Sequence, residues 1–183
     1  MKRSVYSAVC ALLFIGASSC SSTFTAYRAD MFQGMNFLEQ QEYARALASF
    51  EKAAAEQPDA GSLAYAATAS YKAGDLARAE GYINQADTLE RKGFFALRIA
   101  GYKTLVLFAK NEKAAGFEAL KDYIELYSHL YPLRTISMEQ EMLEKGKVEL
   151  VLLEVLVDDQ ATKYEDEVGQ WKKTLTGFRE RAP

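Results

Sequence analysis

The last part of the chain carries the plainest pattern. Ala161, Tyr164, Val168, Trp171, Leu175 and Phe178 recur at spacings of three and four residues, which places them on one side of an α-helix whose other sides are charged. Upstream, the segment from Phe94 to Lys110 is strongly apolar, with Leu97, Ile99, Leu105, Leu107 and Phe108. A partner helix is predicted from Glu112 to His129, carrying Ala115, Ala119, Tyr123 and Tyr127. Ser137 and Gln140 have capping-box spacing ahead of Met142 and Leu143. The run Leu150-Val151-Leu152-Leu153 then reads as a buried core helix, too short to cross a bilayer. Asp158-Asp159 is predicted to open a separate final helix.

The earlier half repeats itself. Two antiparallel helices touch closely only where small side chains meet, and here Gly34, Phe37, Ala46, Phe50, Ala53 and Pro58 are followed about 33 residues on by Ala67, Ala79, Ile83 and Ala86. Gly74-Asp75 is predicted to end one helix and cap the next, and Pro58 to stop another. In these positions the chain resembles the tetratricopeptide-repeat family over residues 27–90, with a degenerate third repeat over 91–132. Asp30 and Gln33 stand where large apolar residues are usual, and Arg91 where the second unit would carry proline. The resemblance implies an all-α fold of helix-turn-helix repeats in a short right-handed superhelix, closed by packing and capping helices over 133–183. Tyr164, Val168, Trp171, Leu175 and Phe178 suit the capping helix. A coiled-coil dimerisation helix is the rival, though the pattern covers fewer heptads than the three or four such a helix needs.

The resemblance also implies a concave groove. Its positions fall on Arg28, Met31, Met35, Leu38 and Glu39 in the first unit and on Ala64, Thr68, Tyr71 and Lys72 in the second. Met, Leu and Tyr flanked by Arg and Lys suit an apolar peptide or helix. The alternative is that later helices fill the groove, leaving Met31, Met35 and Tyr71 as core.

Composition narrows the class. Of 183 residues 49% are hydrophobic and 26% charged, enough for one globular domain, while 3 Pro and 11 Gly are too few for a turn-dense β fold. The net charge of −3 gives no field to attract phosphates, so nucleic acid is not an expected partner. At the N-terminus Lys2 and Arg3 precede an uncharged run through Ser19, most apolar from Val9 to Ile15, and then Cys20. These are the parts of a signal peptide over residues 1–19. Ala17-Ser18-Ser19-Cys20 resembles a bacterial lipobox, with Ala17 where Leu is usual, and implies lipid attachment at Cys20 and a short tether over 20–26. Cleavage would remove Cys10 and leave Cys20 without a disulfide partner. An ordinary signal peptide with an incidental cysteine is the other reading. By its resemblance to enterobacterial lipoprotein sorting signals, Ser21, rather than Asp, at the second mature position implies an outer-membrane protein facing the periplasm.

No catalytic or metal motif emerges. His129 is the single histidine, Glu165-Asp166-Glu167 reads as a solvated face, and Tyr123, Tyr127 and Tyr131 read as a packing stripe. The expectation is a non-enzymatic adaptor with no cofactor or metal besides the covalent lipid at Cys20, whose partner is another envelope protein or peptide. Self-association, or cell-wall or small-ligand binding at an aromatic cleft near Tyr127 and Tyr131, are the alternatives.

Overall fold

The computed structural model describes residues 24–90, 92–131 and 136–179, with side chains through residue 169. Cys20 and residues 1–19, where a signal peptide is expected, lie outside the described residues, as do the side chains of Trp171, Leu175 and Phe178. The described residues form eight helices and no strand. These are α1 (24–39), α2 (Tyr43–Glu56), α3 (Ala60–Lys72), α4 (Leu76–Leu89), α5 (Ala96–Ala109), α6 (Lys113–Leu130), α7 (Ser137–Lys145) and α8 (Leu150–Arg179). Residues 24–26, expected in the tether, already belong to α1.

One turn is used four times. Gln41, Gly74, Asn111 and Gly146 all take the left-handed conformation, with φ of 60°, 82°, 61° and 59°. The next residue's N–H then reaches back to the carbonyl five positions earlier: Glu42 to Phe37 at 2.8 Å, Asp75 to Ser70 at 2.9 Å, Glu112 to Leu107 at 2.9 Å and Lys147 to Met142 at 3.1 Å. This is the double closure of a Schellman motif, which satisfies the last helical carbonyls and reverses the chain. The turn residues are 33, 37 and 35 positions apart.

Small residues placed five positions after the first three turns let the partner helices approach. Ala46 and Ala79 are fully buried, and the third such residue is Gly116, against the Phe108 ring. Ala115, carried by the helix predicted here, is exposed; the turn at Asn111 sets the register and places Gly116 at the crossing. Nine positions after each turn, Phe50, Ile83 and Leu120 are buried. A Cβ on Gly34 would come within 2.5 Å of the Phe50 ring, so only glycine lets α1 meet α2 at that crossing. Asp59 and Asp75 cap α3 and α4, accepting from the Ser62 and Arg78 N–H groups at 2.7 and 3.0 Å.

The C-terminal region departs from three expectations. Asp158 does not open a helix but lies within α8, a single helix of 30 residues. Of the apolar run before it, Leu153 is buried while Val151 and Leu152 are exposed. Ser137 is the first residue of α7 and forms no capping box, since Ile136 holds the cap position without a side-chain hydrogen bond. Instead of pairing with α7 as α2 pairs with α3, α8 runs against α5. The two meet where a Cβ on Gly101 would be 2.4 Å from Val157 Cγ1, and Leu153, Val157 and Ala161 of α8 are fully buried there.

Candidate functional site

Beside the apolar stripe of α8 runs a polar one. Glu154, Asp158, Thr162 and Glu165 are spaced by four, four and three residues, so they share a helix face. That face meets cations and hydroxyls on α3 and α5. Lys72 donates to Glu154 Oε1 at 2.7 Å and to Asp158 Oδ2 at 2.6 Å. Arg98, 3% exposed, forms a fork on Glu165, Nε to Oε1 at 2.8 Å and Nη2 to Oε2 at 3.0 Å. Its guanidinium also lies 4.3 Å from the centre of the Tyr65 ring, and the Tyr65 hydroxyl donates to Glu165 at 2.7 Å. Tyr102 donates to Asp158. Farther along, Tyr123 donates to Gln160 at 2.5 Å, and Gln160 donates to the buried Glu139 of α7.

Each member of this seam satisfies another, as buried polar groups must. Burial, and secondarily Glu165, push the Tyr65 hydroxyl well above its ordinary pKa, although Arg98 opposes the shift. Burial works to lower the Lys72 pKa, but hydrogen bonds to Asp158 and Glu154 outweigh it and the net shift is upward. Lys72 is therefore a fixed cation and Tyr65 a fixed neutral donor. Neither is poised for proton transfer near neutrality.

The seam stops short of α1, and a cleft of about 440 Å³ opens there. Met35, Leu38 and Glu39 of α1, Tyr43 of α2, and Tyr65 and Lys72 of α3 form one wall. Arg98 and the α8 residues Asp158, Thr162 and Asp166 form the other. The expected groove positions therefore separate into classes. Met35, Leu38, Glu39 and Lys72 line the cleft. Arg28 is exposed and lies 5.8 Å over the Phe24 ring, while Met31 joins the core around Phe50. Ala64, Thr68 and Tyr71 are buried; Tyr71 packs edge-on against Tyr102 at 5.6 Å and faces Glu154 of α8.

One further placement differs from a plain reading of the sequence. Glu165 is no solvated acid; it is 8% exposed beneath Arg98. The tyrosine stripe packs inward: Tyr123 and Tyr127 of α6 are buried, and Tyr131, just past its end, packs on Tyr164 at 5.6 Å and donates to Glu167 at 2.8 Å. Tyr164 continues to Phe94 at 6.3 Å, and Val168 is half-buried nearby in sequence. Arg98 was the missed signal. It is an arginine inside a strongly apolar segment, and such a cation requires a buried anion.

Among the described residues, no group of three or more His, Cys, Asp or Glu side chains is placed to hold a metal ion, and no helix is long and apolar enough to cross a membrane. No family model matches the chain, and no curated protein and no solved structure matches it significantly.

Proposed function

We propose that this chain is a lipid-anchored envelope protein that catalyses nothing and works as an adaptor, holding a segment of another envelope protein in the cleft between α1 and α8. The observation that carries this reading is the cleft itself: an open concavity whose α1 wall presents the half-buried Met35 and Leu38 beside a hydrogen-bonded polar seam. Pockets that combine apolar lining with a few fixed polar groups are ordinary binding sites. In this reading the helical hairpins form a short superhelix of tetratricopeptide-like repeats. The recurrence of one turn at Gln41, Gly74 and Asn111 supports it. Lipid on Cys20, four positions before the first described residue of α1, would hold α1 close to the membrane and favour partners there, on the periplasmic side of the outer membrane.

The test places a photoreactive amino acid at position 35 or, as a control, at exposed position 118 in cells producing the full chain. A discrete adduct with one other envelope protein from position 35, absent from position 118, supports the adaptor. Identical adducts from both positions overturn it. Cys20→Ala should move the protein from the membrane to the soluble fraction; retention in the membrane would overturn the anchor.

A second reading, self-association, is favoured by the apolar stripe Val151, Leu152 and Val155 on the outer side of α8, where Val151 is 79% exposed. A concentration-dependent mass, lost in Val151→Lys with Val155→Lys, would establish it.

A further inference from the structure

The cleft is open, but its charges are not balanced. Both cations that border it are already matched within the chain: Lys72 sits between two carboxylates, and Arg98 is held by Glu165. Neither has charge left to offer an incoming anion. The acids on the rims differ. Glu39 on the α1 side and Asp166 on the α8 side are exposed and have no ion-pair partner among the described residues. Asp158 adds a third carboxylate, one-third exposed and outnumbering its cation, because Lys72 is shared with Glu154. Between the acidic rims lie Met35, Leu38 and the Tyr65 ring, all half-buried.

From this juxtaposition we infer that the cleft takes a short cationic, amphipathic peptide segment of a partner protein. Its apolar side chains seat on Met35, Leu38 and Tyr65, and its Lys or Arg side chains reach Glu39 and Asp166. The physical basis is complementarity on both counts. An apolar floor rewards apolar burial, methionine adapts to the shape it meets, and unpaired rim carboxylates attract cations while repelling acidic competitors. An acidic segment would face two unpaired carboxylates, with no free cation among the described residues that line the cleft. This inference rests on the adaptor reading and assigns the charge of the partner.

The test uses the full lipidated chain in nanodiscs of zwitterionic lipid, with empty nanodiscs as the blank and fluorescence anisotropy as the readout. Three labelled octapeptides serve as probes: alternating Lys and Leu, alternating Lys and Ser, and alternating Glu and Leu. The Lys–Leu probe is expected to bind saturably and the other two at least about tenfold more weakly. Glu39→Lys with Asp166→Lys should weaken Lys–Leu binding by about tenfold or more. Glu118→Lys with Glu125→Lys, the same charge change on exposed positions of α6, should alter it by less than about twofold. The milder Glu39→Gln with Asp166→Asn gives an intermediate loss and serves if the reversal perturbs folding by circular dichroism.

Equal binding of the Lys–Leu and Lys–Ser probes, or displacement by spermidine, would reduce the cleft to a site for small amines and overturn the proposal. Equal losses from the α6 control would reveal only long-range charge and overturn it as well. A position-35 adduct without Lys–Leu binding would sink the charge assignment and leave the adaptor standing; absence of both would remove the two together.

Discussion

The turn that leads into α2 and the turn that leads toward α8 are the same turn, yet the helices behave differently. Five and nine positions beyond Gln41 stand Ala46 and Phe50, both fully buried. At the same offsets beyond Gly146 stand Val151 and Val155, exposed at 79% and 59%. A Schellman turn reverses the chain but does not bind the helices it separates. A small residue at the crossing does that, by letting backbones approach, as Gly34 does against Phe50. With a branched valine in the small position, α8 turns a different face inward and packs on α5, carrying Glu154, Asp158 and Glu165 into contact with Lys72 and Arg98. The first hairpins are held by close apolar packing. The last helix is placed by an apolar stripe with a charged seam beside it.

The strongest way to break the difference is at the seam. Arg98→Met leaves Glu165 buried without a cation and should cost about 3 to 5 kcal/mol. In urea denaturation, the further change Glu165→Leu should restore most of that loss, because two apolar groups replace two charges; a double variant as unstable as the single one would refute the pairing. On the hairpin side, Gly34→Ala forces a methyl against the Phe50 ring and should cost about 1 to 3 kcal/mol. Phe50→Leu in the same chain should recover part of it. The same denaturation experiment should find Val151→Lys within about 0.5 kcal/mol of the parent.

The turns themselves offer smaller, stabilising changes. Gln41 and Asn111 hold a left-handed backbone that glycine adopts freely, so Gln41→Gly should raise stability by about 1 kcal/mol, and Asn111→Gly by less because asparagine tolerates this region. Ser70 has a buried hydroxyl without a hydrogen-bond partner; Ser70→Ala removes that unsatisfied group and should be neutral or stabilising by up to about 1 kcal/mol. Smallest near neutrality is the pH dependence that the tyrosines impose on stability. Burial, reinforced by Glu51, pushes Tyr82 up to about 12, and burial first among the causes raises Tyr65, Tyr71, Tyr102 and Tyr123. The folded state thus keeps protons that the unfolded state releases. Their contribution is complete below pH 10 and is lost as pH rises through the folded values. A midpoint insensitive to pH between 10 and 12 would contradict that placement.

The helical character of this chain was legible because its apolar residues recur with a period near 3.6 and its turns are few. Gly74-Asp75 announces a turn by its own chemistry, whereas Gln41 and Asn111 carry no such mark, and the position of Gly116 became readable only once Asn111 was known to turn. The path of α8 was not legible. Asp158 and Glu165 look like surface acids when read along one helix, and nothing local says that an arginine 67 positions upstream of Glu165 lies above it. Pairing across such a distance is a property of the assembled core. The cleft follows from it: Met35 and Leu38 remain open because the seam ends before α1, and Tyr71 closes because Glu154 and Tyr102 reach it.

Segment-resolved hydrogen exchange on the parent chain and on Arg98→Met tests the central claim, that α8 is docked on α5 through this seam and thereby defines the cleft. The account predicts that residues 150–165 are as protected as α5 in the parent and lose that protection in the variant, while α1 to α4 keep theirs. Rapid exchange of residues 150–165 in the parent, or equal loosening of α1 to α4 in the variant, would contradict it.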